Sequence, residues 1–245
     1  MTTVSTLIEE KGNEELWLSL TECDAFIRIH SVLKTLESAK LPRQTLKDIV
    51  GGPLLPRDET PNSAESRNKL FELELAARYH EAGIGITGFD DIQLYLDGYH
   101  IGIQCKRPYS KKNVRANLRS AKDQIRKRHS VIKQGMIAFA IDKLYETDRN
   151  ILVVNTQSEI SNHVNRYTNH FIESHKEKWR HILNTRIIAI LVCIKYICHI
   201  KDINLLTTGF ETVINDRGIS IHDSAFLREI QSKFASIYGS RIVRP

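Results

Sequence analysis

The chain has 245 residues, 41% of them hydrophobic and 26% charged, which is enough apolar material for one substantial core and excludes disorder throughout. Its formal net charge of +6 is concentrated: Lys106 to Lys133 holds eleven Lys and Arg against the single Asp123, a local +10 that leaves −4 for everything else. The four cysteines, Cys23, Cys105, Cys193 and Cys198, form no CxxC pair, which excludes a zinc ribbon or a disulfide framework and fits reduced thiols in a cytoplasm.

In chain order, MTTVSTLIEEKG lacks the basic end and apolar run of a signal peptide, so secretion is not expected. From Glu14 to about Leu36, Trp17, Leu20, Phe26, Ile27, Val32, Leu33 and Leu36 recur at three- and four-residue intervals, predicting an N-terminal helical segment over 1–50. That segment could supply target recognition, a dimer contact or a lid. GGPLLPRDETPNS, Gly51 to Ser63, gathers three of the six prolines beside a Gly pair and reads as a linker before one domain over 64–245. Ser63 or Ser66 caps a helix through NKLFELELAARYHEAG, with Phe71, Leu75 and Tyr79 on one face and Gly83 as its stop. In DDIQLYLDGYHIGIQCKRP, apolar residues alternate on both sides of an Asp97-Gly98 turn, predicting a β-hairpin.

The basic segment then reads as a helix from about Asn113 to His129. Val114, Leu118, Ala121 and Ile125 line its apolar face, and Arg115, Arg119, Lys122 and Arg126 line a stripe about 100° around. A strand, GMIAFAIDKLY, follows, then a polar helix over Gln157 to Leu183 whose histidines complete no zinc set. The greasiest run, Ile187 to Ile200, is shorter than the roughly 20 residues of a membrane span and contains Lys195, so a buried strand is expected. A strand near Asn204 to Ile214 and a closing helix from Ser224 to Tyr238 complete an α/β layer structure. No GxxxxGK[ST] occurs, so any ATP-driven movement or targeting would come from a partner protein.

On the second hairpin strand, alternation turns Gln104 and Lys106 to one side while Ile101, Ile103 and Cys105 turn into the core. An antiparallel hairpin can return Asp91 toward that pair, and Glu72 on the preceding helix can aim a second carboxylate there. Two carboxylates, an amide oxygen and a lysine suit Mg²⁺ or Mn²⁺ bound to a phosphate or a water. Arg107, Lys111 and Lys112, continuing as the Arg115, Arg119, Lys122 and Arg126 stripe, would track a phosphate backbone with little sequence preference.

At these residues the sequence resembles the PD-(D/E)XK, or restriction-endonuclease-like, nuclease superfamily, over roughly Asn68 to Tyr145. The resemblance implies a mixed β-sheet flanked by helices, with the catalytic positions at Glu72, Asp91, Gln104 and Lys106; its spacing favours Glu72 over Glu74 and Asp91 over Asp90. It implies a divalent cation held by Asp91, Gln104 and Glu72, with Lys106 orienting water or stabilising developing charge. Gln124 stands either as the auxiliary helix glutamine or as a surface residue. Phe89-Asp90 precedes Asp91 where the family nominally has Pro, and Gln104 replaces the commoner Glu, which removes a negative charge. The expected function is metal-dependent hydrolysis of phosphodiester bonds in DNA, in restriction, anti-phage defence or repair, by a chain able to form a homodimer. The alternative is a nuclease-like module that binds nucleic acid without cutting it.

Overall fold

A computed structural model describes residues 11–35, 43–52, 59–60, 64–88, 92–127, 134–144, 151–184, 186–216, 221–237 and 239–243. The N-terminal segment forms α1 (Lys11–Thr35) and α2 (Arg43–Val50). Leu18, Ala25, Ile29 and Val32 give α1 a buried stripe, while Leu16, Leu20 and Ile27 on the other side stay exposed. Ala25, Ile29 and Val32 of that stripe and Ile49 of α2 pack on Leu70, Leu73 and Ala77 of α3 (Ala64–Glu81), while Leu18 packs with Ile151 and Ile197. The other side of α3, Phe71, Leu75 and Tyr79, packs on the sheet, so this helix is covered on two sides. It ends as its sequence dictates: Gly83 takes φ +73°, and the N–H groups of Gly83 and Ile84 donate back to the carbonyls of His80 and Tyr79, closing the last turn. Of the expected linker, Glu59 is among the described residues and is buried.

The sheet consists of β1 (Gly85–Gly88), β2 (Ile92–Leu96), β3 (Tyr99–Lys106), β4 (Gln134–Ala140), β5 (Ile151–Val154), β6 (Ile187–Ile200), β7 (Leu205–Asp216) and β8 (Gly239–Val243). Its order is β1-β2-β3-β4-β6-β7-β8. The β2–β3 hairpin turns through Asp97 and Gly98, both at positive φ as a two-residue turn of this hand requires. β3, β4 and β6 run parallel, and β7 returns antiparallel to β6. The 14 residues of β6 pair first with β4 and then, further along, with β5.

Helices cover both faces. On one, α3 and α6 (Ile221–Ala235) enclose Ile92, Leu94, Ile101, Ile103 and the facing side chains of β4 and β6. On the other, α4 (Val114–Lys127) and α5 (Gln157–Arg180) enclose Ile137, Phe139, Ile190 and Val192. Each of these fully buried side chains contributes about 1.5–3 kcal/mol of transfer free energy. Val114, Leu118, Ala121 and Ile125 are the buried residues of α4, the apolar face expected from their spacing. The Ile187 run is a buried strand, and no helix among the described residues is long and apolar enough to cross a membrane.

The expected α/β structure with a mixed, helix-flanked sheet is therefore present. α2 falls within the helical segment expected over 1–50; the chain also forms the short strands β1, β5 and β8, which the apolar pattern had not marked. Four or five residues are too few to establish a period, and β5 is a strand because the edge of β6 beyond β4 offers it hydrogen bonds.

Candidate active site

β3 ends at Lys106, and its pleat sorts the site. Ile101, Ile103 and Cys105 face α3, whereas Gly102, Gln104 and Lys106 face the α4 side. That second face is not open: Gln104 is only 5% exposed, and the space over Gly135, the β4 partner of Gly102, is filled by Ile125. Lys106 emerges at the strand end, where its ammonium donates a 2.7 Å hydrogen bond to Oε1 of Gln124. Gln124, which the sequence left as either an auxiliary or a surface residue, thus meets the lysine directly.

Glu72 lies in the buried part of α3, its Oε2 3.6 Å from Nζ of Lys69. Its charge reaches both Cys105 and Lys106. Burial lowers the Lys106 pKa from the usual lysine range; Cys105 and the Glu72 carboxylate push it back up, while Lys69 adds to the lowering. Burial, reinforced by Glu72, raises the Cys105 thiol well above its ordinary range, which makes it a poor nucleophile. Glu74 is directed elsewhere, accepting from Arg78 at 2.6 Å and Lys195 at 3.3 Å. Burial would raise its pKa, but Lys195 and Arg78 outweigh that and hold it ionised. The structure thus brings Glu72, not Glu74, into the electrostatic neighbourhood of Lys106.

Asp91 immediately precedes β2 and lies outside the described residues, as does Asp90; β2 opens with Ile92 paired to Ile103. The described oxygen donors are Glu72 and Gln104, of the hard type that Mg²⁺ and Mn²⁺ take, and together they bring one negative charge. Among the described residues, no three His, Cys, Asp or Glu side chains gather into a metal-binding group.

Arg107 departs from the phosphate track expected for it. It is 7% exposed; its guanidinium donates to both carboxylate oxygens of Glu59 and, at 2.8 and 3.2 Å, to Asp142. Burial opposes the Arg107 charge, but Asp142 and Glu59 outweigh it and raise the pKa further; Arg107 in turn holds Asp142 below the usual carboxylate range against its own burial. Arg67 extends the network to Glu22 of α1 at 2.6 Å. Glu22, Arg67, Arg107 and Asp142, with Glu74 and Lys195, line a cavity of about 140 Å³ between the N-terminal helices and the sheet. A guanidinium so enclosed cannot reach a nucleic-acid backbone. Proximity in sequence to the basic run concealed this, because its acidic partners lie 48 residues before and 35 after it.

The rest of the basic segment is at the surface. Lys111 and Lys112 are exposed in a 3₁₀ turn, Arg115, Arg119 and Arg126 are exposed on α4, and Lys122 is half-buried. Among the described residues Arg115, Arg119, Lys122 and Arg126 make no ion pair. At roughly 100° per residue these four fall within about 60° of one another, while Gln124 lies about 170° around the helix from their mean direction. The stripe and Lys106 are therefore on opposite flanks of α4, not consecutive stations of one straight track. Residues beyond α4 complete the stripe: Asn184 and Arg186, at the start of β6, join Lys122 and Arg126 around a concavity of about 320 Å³. No local pattern marks them, since only the parallel register of β4 on β6 brings them to α4. No family model matches this chain, and a search of curated proteins finds no match to it.

Proposed function

We propose that this protein is a metal-dependent endonuclease of restriction-endonuclease-like fold that hydrolyses phosphodiester bonds in DNA, with Glu72, Asp91, Gln104 and Lys106 as its centre. The observation that carries the reading is the meeting of Lys106 with Gln124 beside Glu72. A helix carboxylate, the QCK strand end and the basic helix follow one another in the chain order that the resemblance implies, and Gln124 of the basic helix contacts Lys106 at the end of β3. Withdrawing an ammonium from water is unfavourable unless charge or hydrogen bonds offset it. Here the Glu72 charge and the Gln124 oxygen do so, and among the described residues no other group takes the remaining Lys106 protons.

Asp91, Gln104 and Glu72 would hold Mg²⁺ or Mn²⁺, which when bound supplies Lewis-acid activation of a phosphoryl oxygen and of water. Gln124 accepts one of the three Lys106 N–H donors and so fixes the direction of the ammonium. The other two can bind a non-bridging phosphate oxygen or the attacking water, and partial desolvation strengthens that contact as negative charge develops. In this reading Lys106 acts as a charged donor rather than a base: burial lowers its pKa, Cys105 and the Glu72 carboxylate oppose that, and the Gln124 oxygen accepts one of its protons. Its four unbridged cysteines and its basic surface suit action on DNA in the cytoplasm, in restriction, defence or repair.

The test is cleavage of supercoiled plasmid with Mg²⁺ or Mn²⁺. Lys106→Ala and Asp91→Ala are expected to slow it by about 10²-fold or more. Cleavage that survives Lys106→Ala would overturn the site. A second reading, a module that binds nucleic acid without cutting, is favoured by one residue: Gln104 is neutral where a carboxylate would strengthen cation binding. It prevails if the wild type binds DNA and never cuts with either cation.

A further inference from the structure

The concavity at the start of β6 has a chemistry of its own. It is lined by Lys122, Arg126, Asn184, Arg186 and Ile187, with no acidic residue among them. Asn184 uses its side-chain oxygen to accept the backbone N–H groups of Arg186, at 2.8 Å, and Ile187, at 3.1 Å. That leaves only N–H donors on its amide. Among the described residues, every free polar side-chain group lining the concavity is thus a donor, and three are cationic. Cations gathered without counter-charge repel one another, and an oxyanion relieves that repulsion.

The position of Arg186 is built rather than incidental. Besides the bond to Asn184, its carbonyl accepts from the N–H of Gly135 at 2.7 Å, and Asn184 N–H donates to the Ile187 carbonyl at 3.0 Å. The backbone is therefore tied to both β4 and β6 while the guanidinium remains exposed.

Register gives the separation from Lys106. Ile187 is level with Gly135, and Gly135 with Gly102, four residues before Lys106 on β3. Four residues along a strand and two strand spacings across amount to roughly 16 Å between the Lys106 and Ile187 backbones. At 3.4 Å per base step, that is about four or five steps of duplex.

We infer that Lys122, Arg126, Asn184 and Arg186 form a second phosphate site, which grips the backbone of a duplex several nucleotides from the phosphate held at Lys106. The inference rests on the nucleic-acid part of the proposed function and narrows its substrate to a polynucleotide engaged on both flanks of α4. A mononucleotide cannot reach both places.

The test is fluorescence anisotropy with a labelled DNA duplex of about 20 base pairs, without divalent cations, across a salt series. Arg186→Ala is expected to weaken binding about three- to tenfold and to flatten the slope of log K against log salt by about one; Arg186→Lys should restore most of both. Arg180→Ala, which removes an exposed arginine paired to Glu177, serves as the control and should leave both unchanged. Wild-type affinity and slope in Arg186→Ala and in Arg186→Glu would overturn the second site while leaving the plasmid-cleavage reading intact. An Arg186-dependent slope in a protein that never cleaves would support the site and overturn the nuclease reading instead.

Discussion

Lys106 and Arg107 are consecutive basic residues, yet the pleat and the chain's exit from β3 give them opposite environments. Lys106 donates to Gln124 within reach of the Glu72 charge, whereas Arg107 is enclosed by Glu59 and Asp142. Arg107→Ala would strand the buried Glu59 carboxylate and remove the partner of the part-exposed Asp142, and an expected loss of about 3–5 kcal/mol should appear in urea denaturation. The salt dependence of duplex binding should be unchanged in that variant, because this guanidinium faces no solvent. Gln124→Ala should instead leave stability and duplex affinity near wild type and slow plasmid cleavage by about 10–100-fold, the range for losing a group that orients an active residue. Gln124→Glu, which keeps an acceptor, should recover part of the rate.

Among the elements, α4 joins the site to its surroundings. One face is apolar and closes over β3 and β4, one flank meets Lys106, and the other carries the basic stripe. Its contact with the sheet is close because Gly135 has no side chain; a Cβ there would stand 3.1 Å from both Ile125 and the Gly102 carbonyl. Ile125→Ala should therefore cost about 2–5 kcal/mol by chemical denaturation and weaken cleavage and binding together, since both flanks move with the helix. α1, α3, β6 and the turn after β4 are tied by carboxylates, and this sets a pH dependence. Asp142 and Glu74 both have native pKa values below their ordinary ones. Their stabilisation is thus fully present above the unfolded-state values near 4 and is lost as pH falls through the lower native values. The urea midpoint should hold between about pH 7 and 5 and then fall steeply toward pH 2–3. A flat midpoint across that acid range would mean that these pairs contribute nothing.

For the whole molecule, the N-terminal helices are part of the folded body. Leu70, Leu73 and Ala77 of α3 are buried by α1 and α2, Glu22 pairs with Arg67, and Lys195 donates to the Thr21 carbonyl. Deleting residues 1–50 would expose that apolar flank and leave Arg67 without one of its partners. The shortened chain should elute as aggregates in gel filtration, or lose its cooperative thermal transition, rather than behave as a folded domain.

What the sequence determined by itself is what depends on neighbours a few residues apart. Alternation over 92–105 specified the hairpin and the face of β3 that Gln104 and Lys106 share; three- and four-residue spacing specified α3, α4 and the buried quartet Val114, Leu118, Ala121 and Ile125; and the basic run located the charge. Tertiary structure alone decided which of those charges meet solvent, because that depends on partners brought from far along the chain. Glu59 and Asp142 close on Arg107, Gln124 rather than the arginine stripe faces Lys106, and the β4–β6 register carries Arg186 to Arg126. Strand register and ion pairing are settled by the joint packing of distant segments, and a local period of 2 or 3.6 residues contains no record of it.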